Sequence, residues 1–324
     1  MGKKYSYDLE RDGVTQSMLT AFLSCPTKTK LGTVEGWSSS RPRRALSYGS
    51  LMHKVLEDEQ RIQKEKGKDW TPSDLRVRTT IDDACKVFRK KANEKGRFSP
   101  EDEEQLELTK AQLYAIMPAY FRHWDAPKWT EIENVFDIPY KVGTSLTTRL
   151  RGRKDGVFTA KDGTLWQLDS KSSSRINEEE LGVTLTRNYQ ILFYTLATYL
   201  QTGKIPKRFV YNIVRKTGLK PKGGDLPEYV KRIGDEVAKN PDHFFHRFEV
   251  AIVKQDLLDF QKELDQTLLH IKAWVEAGMP SPKFGMPCQG MYGLCNYAAI
   301  CYEDDYSQYK TREHVFAELV DEED

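Results

Sequence analysis

The stretch GRKDGVFTAKDGTLWQLDSKSSS (152–174) decides the reading of this chain. Leu146 to Thr159 is rich in β-formers, Lys161-Asp162-Gly163 is a hairpin turn, and Thr164 to Ser170 follows as the returning strand. An acid, Asp155, stands near the end of the first strand, and a second acid, Asp169, stands two residues before Lys171 on the next. Residues i and i+2 of a strand share a face, so Asp169 and Lys171 point together while Ser170 points away and offers only its backbone carbonyl. Two carboxylates suit Mg²⁺ or Mn²⁺, hard cations that take oxygen ligands, and such an ion polarises a scissile phosphate and activates water. Lys171 can orient that water and stabilise developing charge. Taken alone, Asp-x-Lys fits equally well a surface strand that alternates charges.

Working outward, residues 184–201 read as a helix with Tyr189, Leu192, Phe193, Leu196 and Leu200 apolar and Gly203 as its stop. Gln190 and Tyr194 lie four apart on it, so both can reach one groove, although a core tyrosine with a glutamine at its rim gives the same pattern. Strands are expected at 208–214 and 244–253, and a long amphipathic helix at 255–276. Upstream, Ile132 to Tyr140 alternates as a strand, while most of what precedes it is helical: a helix capped by Thr15 or Ser17 and stopped by Pro26, one starting at Ser47, and further helices over 71–125. His53, in YGSLMHKVLE (48–57), fits either a neutral imidazole ligand or a satisfied histidine on a half-buried helix. The expected architecture is a single α/β domain, a central mixed sheet flanked by helices, in three parts: a helical segment 1–128, a core 129–253, and a C-terminal helix with a cysteine-rich segment 254–324.

The series Gly49-x3-His53, Asp155, Asp169-x-Lys171 and Gln190-x3-Tyr194 resembles, in order and separation, the RecB-type branch of the PD-(D/E)XK nucleases. The opening SMLTAFLSCP (17–26) resembles that branch's first helix. Cys25 with Cys288-x6-Cys295-x5-Cys301 resembles the four-cysteine iron–sulfur staple of AddB-type and CRISPR adaptation nucleases. The resemblance implies that His53, Asp155 and Asp169 bind metal together with the Ser170 carbonyl, that Lys171 assists the attacking water, and that Gln190 and Tyr194 position DNA and the lysine. It also implies a [4Fe–4S] cluster on Cys25, Cys288, Cys295 and Cys301. Four thiolates suit a tetrahedral zinc site as well. Two features depart from the family pattern: Asp169 stands where many relatives have Glu, and the first gap among the late cysteines is six residues where two is common.

Composition narrows the remaining classes. Fifty basic and 48 acidic residues give a formal charge of +2, so distribution matters more than total. Arg41, Arg43 and Arg44 cluster, as do Arg149, Arg151, Arg153 and Lys154, then Arg215, Lys216, Lys220 and Lys222, while Glu318 to Asp324 is mostly acidic. Arg151, Arg153 and Lys154, flanking the first acid, are the candidate DNA contacts. Tyr292, Tyr297 and Tyr302 among the cysteines, with Phe244, Phe245 and Phe248, fit base stacking or core packing. No apolar run spans a bilayer and no signal-peptide core follows Met1; Gly2 and Ser6 match only a short acylation pattern. The expectation is a cytoplasmic protein whose five cysteines are reduced, with Cys85 a buried thiol. There is no phosphate-binding Gly-x4-Gly-Lys loop, so a helicase or strand-annealing partner has to be a separate chain. The sequence thus points to a DNA exonuclease or end-processing nuclease in recombination, repair or phage-type DNA metabolism. The competing readings are a catalytically inactive or partner-dependent DNA-binding subunit and an RNA-directed nuclease.

Overall fold

A computed structural model describes residues 6–39, 46–67, 70–94, 98–282, 288–290, 293–316 and 319. The basic cluster Arg41, Arg43 and Arg44, together with Gly2, Tyr292 and the acidic residues of the C-terminal tail, lies outside them.

Six strands form one mixed sheet: β1 (Val14–Thr15), β2 (Lys128–Val142), β3 (Leu146–Thr159), β4 (Leu165–Ser173), β5 (Arg208–Arg215) and β6 (Phe245–Ala251). The β2–β3 and β3–β4 pairs are antiparallel, β4–β5 is parallel and β5–β6 is antiparallel. A parallel β4–β5 pair needs a crossover, and the long apolar helix between the two strands supplies it.

The major helices are α1 (Gln16–Ser24), α2 (Leu46–Lys66), α3 (Asp74–Glu94), α4 (Pro100–His123), α5 (Tyr189–Thr202), α6 (Leu226–Lys239) and α7 (Lys254–Glu276). They cover the sheet from two sides. On one side, Met52 and Val55 of α2, Ile81 of α3, Leu113 and Ile116 of α4 and Ile233 of α6 bury against Val214 and Phe245. On the other, Met18 and Leu19 of α1, Phe193 and Leu196 of α5 and Leu264 and Leu268 of α7 bury against Phe136 and Leu150. Each filled position removes a large aliphatic or aromatic side chain from water, about 1.5–3 kcal/mol apiece before entropy is counted.

Local chemistry accounts for the ends. Thr15 caps α1, its hydroxyl accepting from the Met18 N–H, and Gly203 ends α5 in the left-handed region at φ 70°. The expected helix over 184–201 is divided. Asn188 is an N-cap, its side chain accepting from the N–H groups of Gln190 and Ile191, so α5 starts at Tyr189 behind a separate short helix at Glu178–Thr184. Several elements went unanticipated, β1 and α6 among them. β1 is two residues long, pairing parallel with Leu150 and Arg151. α6 has a capping Asp225, Pro227 in its first turn, and Tyr229, Ile233 and Val237 buried at four-residue spacing, a pattern legible in the sequence.

A gap along one edge of β3 positions the site. β2 occupies the whole of one edge of β3. Its other edge is shared by β1, at Leu150 and Arg151, and β4, which pairs from Gly156 to Thr159. Residues 152–155 of that edge therefore lie between two partners and pair with neither.

Candidate active site

Asp155 sits in this gap. The β3–β4 ladder ends at Gly156 and Leu168, and the next step would set Asp155 against Asp169. The strands part instead, and the Ser170 N–H donates to Asp155 Oδ2 at 2.7 Å. Across the other edge, Ile132 pairs with Gly156 and Asn134 with Lys154, which places Glu133 directly opposite Asp155. Glu133 has φ 44°, a conformation non-glycine residues rarely adopt and one that concentrates at functional sites. Helix α2 brings the third group, with Gly49 facing Ser172 and His53 Nδ1 lying 3.5 Å from Asp155 Oδ2. One ligand atom from each of His53, Glu133 and Asp155 lies within 4.8 Å of the others.

Asp169 and Lys171 project together, as the period of a strand requires. Lys171 Nζ lies 2.6 Å from Asp169 Oδ2, and Gln190 Nε2 donates to Asp169 Oδ1 at 3.0 Å. Ser170 points to the opposite face, where its Oγ accepts from Asn212 Nδ2 at 3.1 Å.

The family model of the PD-(D/E)XK nuclease superfamily matches residues 14–302. The chain belongs to the PD-(D/E)XK nuclease superfamily. The solved structure of SSO0001 is similar to it at 11% identity over 89% of this chain and 95% of its own, with a TM-score of 0.30. No curated protein matches the chain.

As a PD-(D/E)XK chain, the protein has the donor set a divalent cation needs, and its electrostatics fit one. Burial, and then the charge of Asp155, push Asp169 up to about 7. The same two causes push Glu133 up to about 8. Carboxylates packed this closely lack positive charge, which a hard divalent ion with oxygen and imidazole ligands supplies. Burial draws Lys171 down, but Asp169 and Asp155 outweigh it and hold the ammonium above the ordinary lysine range. Lys171 is therefore a fixed cation, suited to stabilising negative charge on a phosphate oxygen.

Sequence reasoning missed Glu133. The only cue was an acid in an alternating strand; its importance comes from standing on β2 directly opposite Asp155 of β3. Gln190, expected near the lysine, meets the acid instead. Tyr194 packs its ring against Phe136 at 6.0 Å between centroids, and burial together with Asp169 pushes its hydroxyl up to about 12.

The Lys154 side chain is turned into the protein rather than out to the surface. It is 1% exposed, with Nζ 2.8 Å from Glu131 Oε2 and 3.0 Å from Gln201 Oε1 of α5. Two residues on, a Cβ at Gly156 would meet the Trp129 ring, whose indole N–H donates to Gln63 of α2. Alternate residues that should share a face thus reach opposite helix layers, because the strand rolls over at Asp155. Arg151 is 3.3 Å from Asp137, and Arg153 stands where its charge offsets Glu133.

The cysteines are not drawn into one ligand group. None of the five is in a disulfide, and among the described residues no three of their sulfurs lie within 4.8 Å of one another. A tetrahedral zinc site, with Zn–S bonds of about 2.3 Å, is thus not preformed. Cys85 is buried, as expected. Phe244 and Phe245 are core residues and Tyr297 is nearly so, with its hydroxyl on the Trp37 carbonyl. Among the described residues, no helix is long and apolar enough to cross a membrane.

Proposed function

We propose that this protein is a metal-dependent deoxyribonuclease, an exonuclease or end-processing enzyme of the RecB-type branch, acting on DNA with accessible ends. The observation that carries the reading is the convergence, at the parting of β3 and β4, of His53, Glu133 and Asp155 with the Asp169–Lys171 pair. His53, Asp155, Asp169 and the Ser170 carbonyl would hold Mg²⁺ or Mn²⁺, with Glu133 at the same centre. When bound, the ion polarises the scissile phosphate and makes water a competent nucleophile at neutral pH. The chain's own groups supply the positioning: Gln190 fixes Asp169, the Ser170 N–H fixes Asp155, and Lys171 presents a permanent positive charge to the phosphate. Arg153 is the remaining candidate for a nearby backbone contact.

In this reading the chain is one nuclease domain in the cytoplasm, and any helicase or strand-annealing protein it serves is a separate polypeptide. Cys288, Cys295 and Cys301 all lie near enough to the Tyr302 hydroxyl to act on it; an iron–sulfur cluster on these three and Cys25, with zinc as the alternative, rests on the resemblance of their spacing. Iron content and visible absorbance of anaerobically purified protein test that part.

The activity test uses end-labelled and circular DNA, single- and double-stranded, with Mg²⁺, Mn²⁺ or EDTA. Wild type should cut only with metal, linear substrates first, and Lys171→Ala should lose roughly a hundredfold or more of the rate while remaining folded. Cutting that persists in Lys171→Ala refutes the assignment. No cutting under any condition favours a DNA-binding subunit.

A further inference from the structure

Behind the candidate site, on the face of the sheet away from Asp169, runs a buried polar path. Ser170 is in register with Asn212 of β5, and Asn212 with Arg247 of β6. Asn212 is fully buried, between Tyr211 and Ile213 and close to Val210 and Val214. Its Nδ2 donates to Ser170 Oγ at 3.1 Å, and its Oδ1 accepts from Arg247 Nε at 3.3 Å. Arg247 donates in turn to the Tyr120 hydroxyl at 3.3 Å, and its guanidinium carbon lies 4.2 Å from the Trp124 ring centroid. At the other end, the Ser170 N–H reaches Asp155 Oδ2 at 2.7 Å. One hydrogen-bonded path thus crosses four strands, from α4 to the first acid.

A central strand position favours an apolar residue. A buried asparagine is costly there unless both its donor and its acceptor are satisfied. Here both are, and the donor goes to the one residue whose backbone joins Asp169 to Lys171 and whose N–H holds Asp155. Satisfied networks of this kind rigidify what they touch.

Resting on the reading of the site given above, we propose that Asn212 and Arg247 are positioning residues for the metal centre. They clamp the Ser170 segment of β4 from behind and so fix the separation of Asp155, Asp169 and the Ser170 carbonyl, without touching metal or substrate. Outer groups that orient metal ligands typically change affinity by about 10–100-fold when removed.

The test compares wild type, Asn212→Leu, Ser170→Ala and the double variant, measuring Mn²⁺ binding by electron paramagnetic resonance without DNA, then kcat and KM for DNA. Asn212→Leu should weaken Mn²⁺ binding about tenfold or more and lower kcat with KM for DNA little changed. Ser170→Ala should reproduce the effect, and the double variant should add little, since both cut the same link. Arg247→Met provides a second break in the path if Asn212→Leu does not fold. Wild-type Mn²⁺ affinity in the folded variants, or fully additive effects, overturns the proposal. If wild type binds Mn²⁺ but cuts nothing, the nuclease reading falls while the affinity comparison still decides this one. If wild type binds no Mn²⁺, both fall.

Discussion

Replacing Lys154 by Met separates a structural lysine from a DNA-binding one. Lys154 is 1% exposed, and its Nζ is held by Glu131 at 2.8 Å, Gln201 at 3.0 Å and Thr198 at 3.4 Å. Removing one partner of a buried pair leaves the other charge uncompensated, at a cost of about 3–5 kcal/mol. The Glu131 side chain keeps 29% of its exposure, and water screens what is left, so the lower end, about 3 kcal/mol, applies. At roughly 2 °C per kcal/mol for a large domain, Tm should fall by about 6 °C. Adding Glu131→Gln should recover most of the loss, because the stranded charge is then gone. Thermal denaturation of the single and double variants measures both effects. DNA binding titrated against salt supplies the contrasting readout, since losing a phosphate contact lowers the salt slope by about one and leaves Tm alone. A Tm unchanged within a degree, with a reduced salt slope, would show that Lys154 contacts DNA and that its burial has been misjudged.

Two further outcomes follow from the acids. Asp169 and Glu133 have pKa values raised to about 7 and about 8 in the folded chain, so the folded state holds more protons than the unfolded one between about pH 4 and 8. Without metal, stability should be greatest near the low end of that window and fall as pH rises through it, and the gain in Tm on adding Mn²⁺ should be larger at pH 8 than at pH 6; thermal scans at the two pH values check the sign. Glu133→Gln should raise the metal-free Tm at pH 8 and weaken Mn²⁺ binding, measured by calorimetry, whereas a lower Tm with unchanged affinity would make Glu133 a structural residue.

Much of this protein is legible in local sequence, because local sequence is where the physics acts. Hydrophobic periodicity drew α2, α5 and α7, side-chain caps fixed Thr15 and the glycine stop at Gly203, and the Lys161-Asp162-Gly163 turn drew the β3–β4 hairpin. The two-residue period put Asp169 and Lys171 on one face and Ser170 on the other. α6 was equally local in its signal and was overlooked. Tertiary structure alone decided the rest. Glu133 joins the site only through the β2–β3 register, Asp155 is exposed to its neighbours only because β1 and β4 leave a gap in one edge of β3, and the Lys154 charge is held inside only because Glu131 of β2 and Gln201 of α5 come to meet it. Pairing register, strand edges and the face a twisted strand presents are set by contacts between segments distant in sequence. Local propensity cannot encode them, so the kinds of residue at this site were readable in one dimension and their arrangement was not.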